Sequence, residues 1–322
     1  MNKHVNRRRF LRRSAGLAAG FLALPRTRSA RAAQGGAASH AIRLGGPVSA
    51  GSSDPEAIAQ AHRRLGYRAA FCPFGNDALN DSARLRAAAE AFAKHDVAIA
   101  EVGRWVNLMD ADPARRKANL ENVTQGLALA EAVGARCCVD IAGSFSTEQW
   151  YGPHPKNFSE EFFDLAVENA RKIIDAVKPA RTKFCYEMMG WAYPEGPDSY
   201  LRLIRAIDRE AFGVHLDPCN GVNSPERFYR NAEFISECFD KLGPHIVSCH
   251  AKDLQWQVEM NVHFVEVRPG AGAIDYRPYL QRLAALRQEP PLMLEHLPNA
   301  EEYDKARRYL LELGPKVGVR FE

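Results

Sequence analysis

No stretch of this 322-residue chain offers the ~20 consecutive apolar residues that a membrane-spanning helix needs; the apolar core at residues 15 to 24 is about half that long. Cysteine is present seven times but never as CxxC, and an odd number concentrated in apolar, strand-like runs argues for buried thiols over a disulfide framework, with a single bond left open. After residue 40 there is no low-complexity linker, no second apolar stretch and no sharp shift in composition, so one domain is the economical organisation. Acidic residues are missing altogether from positions 1 to 32, which hold nine of the 43 basic residues; the remainder carries 34 bases against 39 acids. The formal charge of +4 therefore belongs to the N-terminus, and an acidic remainder of about −5 excludes nucleic acid as a partner.

The same N-terminus reads as an export signal over residues 1 to 33, followed by a flexible linker over 34 to 40. Arg7, Arg8 and Arg9 precede Phe10 and Leu11, the short apolar core follows, and Ala30-Arg31-Ala32 supplies small residues for cleavage. The run RRRFL resembles the twin-arginine export signal. That resemblance implies transient contact with the twin-arginine machinery, a periplasmic or extracellular destination, and folding with its cofactor before translocation.

From residue 41 onward, short apolar runs alternate with helical patterns. The runs at 41 to 47, 67 to 73, 96 to 102, 136 to 141, 182 to 187, 212 to 217, 245 to 251 and 291 to 295 are too apolar for half-exposed strands and suit parallel strands covered on both faces. Helices are predicted over 54 to 64, 81 to 94, 113 to 132, 159 to 177, 197 to 208, 225 to 241, 276 to 287 and 299 to 312. Asp54-Pro55-Glu56 and Ser224-Pro225-Glu226 are good helix starts, Gly134 a stop, and Asn299 with Glu302 fits a capping box. Eight strand–helix units describe an α/β TIM (β/α)8 barrel over 41 to 322; an open doubly wound sheet is the competitor. Two connections, 142 to 158 and 252 to 273, are long for βα loops and would wall a cavity on the catalytic face.

Four potential ligands end consecutive predicted strands: Glu187, Asp217, His250 and Glu295, spaced by 30, 33 and 45 positions. A closed barrel would bring them together at its mouth. Three carboxylates and an imidazole suit a hard divalent cation, Mn2+ first, with Mg2+, Co2+, Fe2+ or Zn2+ as alternatives.

With these residues in place, the chain resembles the sugar phosphate isomerase/epimerase superfamily of xylose isomerase-like barrels. The resemblance is carried by EVGRWVNL at 101 to 108, Glu187 with Trp191, GVHLDPCN at 213 to 220, HAKD at 250 to 253, RPGAGAIDY at 268 to 276 and LMLEHL at 292 to 297. It implies that Glu187, Asp217, His250 and Glu295 bind the ion, and that Glu187 and Glu295 also exchange protons with a sugar or related polyhydroxy ketone through an enediolate. Arg268 can donate two hydrogen bonds to an oxygen gaining charge, Lys252 can reach the ligand, and Asp253 can fix His250 or satisfy the strand end. Trp105, Asn107, Trp191, Trp150 and Tyr151 are candidates for a sugar-facing wall. Epimerase-like members often carry histidine three residues after the strand-six aspartate, where this chain has Asn220, which can hydrogen-bond substrate without bearing charge. A lyase such as an inosose dehydratase or a ketoglycoside-cleaving enzyme would use nearly the same residues. A non-catalytic sugar-binding barrel is the reading from another class, and a homo-oligomer stays open.

Overall fold

The computed structural model describes residues 39–322; the expected export signal and most of the linker lie outside the described residues. Eight strands close a parallel barrel: β1 (Leu44–Gly45), β2 (Ala69–Phe71), β3 (Ala98–Gly103), β4 (Cys137–Asp140), β5 (Lys183–Glu187), β6 (Phe212–Leu216), β7 (Ile246–Ala251) and, after a two-stranded insertion of β8 (Asp253–Trp256) and β9 (Phe264–Val267), β10 (Leu292–Leu294). Closure rests on β1, which pairs with β10 through Leu44 opposite Leu292 and with β2 through Gly45 opposite Ala69. That pairing leaves no barrel edge and removes the open sheet as an alternative.

The helices are α1 (Pro55–Arg64), α2 (Ser82–Lys94), α3 (Pro113–Val133), α4 (Glu160–Val177), α5 (Pro197–Ile207), two short turns α6 (Pro218–Gly221) and α7 (Pro225–Tyr229), then α8 (Asn231–Leu242), α9 (Tyr276–Ala284) and α10 (Ala300–Lys316). Their starts follow the local chemistry: Asp54, Asp81, Asp112, Ser159 and Asn299 each cap a free backbone N–H. Gly134 ends α3 in the left-handed region at φ 73°. Among the described residues, no helix is long and apolar enough to cross a membrane.

Two helix expectations differ. The helix predicted over 225 to 241 breaks at Arg230, because Asn231 turns its amide to Phe228 O and Ala273 O and so stitches the break to the loop before α9. The capping box at α10 is half made: Asn299 accepts from Glu302 N at 3.0 Å, but the Glu302 carboxylate pairs with Lys305 and Arg268 instead of returning to Asn299.

Alternate strand residues face outward into one large apolar core shared with the helices, from Leu44 and Ile99 through Phe184 and Val214 to Leu294. The lumen is different. Small apolar patches, one of Ala69, Ala100 and Met293 and another of Cys137, Val139 and Cys185, are accompanied by buried Glu101, His215 and Ser248. All seven cysteines are free thiols, six of them buried.

Candidate metal centre

The C-terminal ends of β5, β6, β7 and β10 deliver the four expected side chains to one point. Ligand atoms of Glu187, Asp217, His250 and Glu295 lie within 4.8 Å of one another. Nδ1 of His250 is the hub, 2.9 Å from Glu187 Oε1, 2.9 Å from Glu295 Oε2 and 3.6 Å from Asp217 Oδ2. Asp217 owes its orientation to the turn that follows β6, where its Oδ1 accepts from the backbone N–H groups of Cys219 and Asn220. This leaves Oδ2 turned inward.

Lys252, two residues beyond His250 and almost wholly buried, brings a permanent charge to the cluster. Its Nζ lies 2.8 Å from Asp217 Oδ2, 3.3 Å from Glu295 Oε2 and 3.4 Å from Glu266 Oε1, and donates to Asn220 Oδ1 at 3.0 Å. Burial opposes its charge, but Asp217, Glu187 and Glu295 overcome that and push its pKa well above the usual lysine value. The carboxylates respond unequally. Burial raises Glu187, and the nearby Glu295 charge adds to the rise against the opposing pull of Lys252. For Glu295, burial is outweighed by His250 and Lys252, which bring it down to about 2. Asp217 is likewise held well below the usual range by Lys252 and His250 against the effect of burial.

A divalent cation fits this donor set. Asp217 Oδ2 and Glu295 Oε2 are buried and meet the Lys252 ammonium at 2.8 and 3.3 Å as ion pairs without hydrogen-bond alignment, which leaves lone pairs on both oxygens for a cation. Oxygen-rich coordination with one imidazole matches a hard or borderline ion.

The structure places the remaining expected residues differently. The Trp105 ring stands 6.3 Å from the His250 ring, held above the site by a backbone at φ 45°. Asn220 lies at the site, but its amide donates to Met188 O and accepts from Lys252, so it positions the lysine. Asn107 is buried and joined at both ends to backbone, donating to Ser144 O and accepting from Met109 N and Ser144 N, and so braces the 142 to 158 loop. Arg268 pairs with Glu302 at 3.1 Å on the first turn of α10 and makes no described contact with the four clustered residues. Trp191 is exposed, with its carbonyl held by Asn157, while Trp150 and Tyr151 pack edge to face at 5.1 Å in the 142 to 158 loop. Asp253 does not touch His250. It accepts from the N–H groups of Leu254, Gly270, Gly272 and Ile274 and thereby shapes the glycine-rich loop.

Two groups were not anticipated as parts of the site. Glu101, on β3, contacts His250 Nε2 at 3.0 Å and His215 Nε2 at 2.9 Å from full burial; Glu101, His215 and His250 form a second cluster with metal-ligand potential. Glu266, on β9, reaches Lys252 and His296. A charged residue inside AIAEVG and a histidine inside GVHLD are the signals that could have revealed the first pair, since an apolar buried strand accommodates such groups only with partners.

A family model described as a xylose isomerase-like TIM barrel matches residues 59–313. Among solved structures, a xylose isomerase-like TIM barrel protein from Mycobacterium smegmatis in complex with magnesium is similar at 18% identity and TM-score 0.60, covering 84% of this chain and 96% of that one. A probable 3-DHS dehydratase of Bacillus anthracis aligns at 16% identity, TM-score 0.60, over 79% of this chain and 92% of that one. The 3-keto-D-glucoside 4-epimerase of E. coli aligns at 12% identity, TM-score 0.60, over 84% and 99%. At these identities the likeness is one of fold. No curated protein matches the chain in sequence.

Proposed function

The chain belongs to the xylose isomerase-like TIM barrel family, and we propose that it is a metal-dependent isomerase or epimerase that moves a proton beside the carbonyl of a sugar or related polyhydroxy ketone. The observation that carries this reading is the convergence of four ligand atoms within 4.8 Å at the ends of β5, β6, β7 and β10. Glu187, Asp217, His250 and Glu295 would hold the ion, Mn2+ in the first instance. When bound, a divalent ion supplies electrostatic stabilisation of negative charge growing on a carbonyl oxygen.

The protein's own groups divide the remaining work. Glu187 and Glu295 are two carboxylates in one cavity in unlike environments, the first raised by burial and the second held low by His250 and Lys252. Such asymmetry suits one to give and the other to take a proton. Asp217, fixed by its capping bonds, holds charge and geometry. Lys252 stands ready to hydrogen-bond a substrate oxygen, steadied by Asn220, and Trp105 covers one side of the cavity. We assign Arg268 and Trp191 to the outer part of the substrate site, reached on closure of the loops that bear them.

Lys252 also favours a second reading. An ammonium 3.3 Å from Glu295 can stabilise negative charge on a departing β-oxygen by hydrogen bonding, so the same proton abstraction could end in elimination instead of reprotonation.

The test is incubation of the manganese-loaded protein with ketoses and ketoglycosides, phosphorylated and free, in deuterium oxide. Deuterium entering the carbon beside the carbonyl supports either enzyme, and the product, epimer or elimination product, distinguishes them. Absence of exchange across metal-loaded protein that still binds sugar would replace both with a non-catalytic sugar-binding barrel. On RRRFL and the small-residue site after it we further propose twin-arginine export to the periplasm; cell fractionation finding the full-length chain in the cytoplasm would refute this.

A further inference from the structure

We propose that Glu101 is a positioning residue that acts through His250: anchored by His215 and Ser248 in the barrel lumen, it accepts a hydrogen bond from the Nε2–H of His250 and so commits Nδ1 to the cation. This rests on the metal reading given above and adds to it the group that sets the ligand's tautomer.

The geometry leaves each nitrogen of His250 one kind of neighbour. Nε2 meets Glu101 Oε1 at 3.0 Å, whereas Nδ1 meets three carboxylates. A neutral imidazole that donates from Nε2 points its Nδ1 lone pair at the oxygens of Glu187, Asp217 and Glu295. The Lys252 ammonium, 2.8 Å from Asp217 Oδ2 and 3.3 Å from Glu295 Oε2, offsets part of this negative charge, and a cation held at Nδ1 in place of a proton would offset the rest. The proton on Nε2 thus selects Nδ1 as ligand, and the carboxylate behind it makes the ring a better donor.

Glu101 is itself immobilised. Its Oε2 accepts from Ser248 Oγ at 2.9 Å and pairs with His215 Nε2 at 2.9 Å, and no part of its side chain is exposed. The ring of His250 has little freedom to turn: His215 stands T-shaped against it at 4.1 Å, with Phe71 at 6.4 Å and Trp105 at 6.3 Å. The bonding also decides between a support and a second ion site. Glu101, His215 and His250 could in principle share an ion. Both oxygens of Glu101, however, already pair with ring nitrogens or the Ser248 hydroxyl, so this carboxylate has its partners without an ion, whereas Asp217 Oδ2 and Glu295 Oε2 above it meet the Lys252 ammonium as ion pairs without hydrogen-bond alignment.

The experiment is calorimetric titration of the metal-free full-length protein and its Glu101→Gln variant with Mn2+, with circular dichroism to confirm folding. The expected result is one ion per wild-type chain and a loss of about 10- to 100-fold in affinity in the variant. A folded variant that binds Mn2+ within twofold of wild type overturns the proposal, as does a second wild-type ion that disappears with Glu101, since Glu101 would then be a ligand. Failure of the wild type to bind any divalent ion would instead bring down the metal reading itself, and this inference with it. Should the variant not fold, 15N spectra of the magnesium-loaded wild type decide: His250 protonated at Nε2 and ligated at Nδ1 supports the assignment, and the opposite tautomer ends it. A merely structural Glu101 would leave that tautomer free.

Discussion

A buried ammonium among carboxylates is tolerated only while each sign has the other, and Lys252 is the residue on which that balance turns. Its charge is close to Asp217, Glu295 and Glu266. Lys252→Met keeps most of the side-chain volume and removes the charge, leaving Asp217 without its nearest counterion. In metal-free protein we expect a loss of about 3–5 kcal/mol, the usual consequence of breaking a buried pair from one side; urea unfolding in chelator measures it, and a loss under about 1 kcal/mol would show that solvent screens the cluster. A backbone constraint acts at the same scale. Gly143 holds φ at 104°, and a Cβ there would stand 2.3 Å from Asn107 Oδ1 and 3.0 Å from the N atoms of Leu108 and Met109. Gly143→Ala should therefore cost about 2–4 kcal/mol through strain and through loss of the Asn107 brace, read as a lower thermal midpoint.

Single side chains hold elements of this fold in place, and two of them can be tested. Asp253, at the start of β8, gathers four backbone N–H groups and so joins the hairpin to the loop from Gly270 to Ile274. Asp253→Ala leaves those donors without an acceptor, and hydrogen exchange at residues 270, 272 and 274 should quicken by at least tenfold while α4 and α5 keep their protection. In α1, His62 is buried against Phe92 and donates to Ile58 O. Burial lowers its pKa, with the Ile58 bond opposing. The unfolded chain then binds a proton that the folded chain refuses, so stability is lost as pH falls below the unfolded value of about 6.5. His62→Leu should flatten the decline of the thermal midpoint between about pH 7.5 and 5.5; an unchanged slope would assign the decline to other groups. The element borders also show where pattern reading stops. Apolar runs located all eight barrel strands because those strands are covered on both faces. The β8–β9 hairpin was read as a plain loop: its strands are four residues each, Trp256 at the end of β8 and Val258, Met260 and Val262 in the turn face solvent, and the segment is too polar to resemble the barrel strands.

At the level of the whole molecule, the barrel closure turns a one-dimensional spacing into a three-dimensional charge cluster. The quartet Glu187, Asp217, His250 and Glu295 was legible because each follows an apolar run at the same end of its strand. Glu101 and His215 were not, because they sit inside their strands, and only closure reveals that β3, β6 and β7 meet in the lumen. The partner of Arg268 was equally hidden: nothing in RPGAGAID foretells that Glu302, 34 positions later, will pair with its guanidinium. The cluster that closure creates has a thermodynamic consequence for the entire fold. Without a cation, burial of Glu187 is unfavourable enough to raise its pKa, and Glu295 and Asp217 stand beside it. Replacing that carboxylate with an amide of equal size removes a charge the metal-free barrel is strained to hold. With a cation, the same replacement deletes a ligand. We therefore expect Glu187→Gln to unfold at an equal or higher temperature than wild type in chelator, and at a lower one in excess Mn2+. Saturating wild type at about 100 times its dissociation constant should add about 2.7 kcal/mol, and the variant should gain markedly less. Parallel thermal scans of both proteins, with and without the ion, test this crossing. Equal gains from the ion in the two proteins would mean that Glu187 contributes to the fold and not to a cation site, because a ligand whose removal is indifferent to the metal is not a ligand.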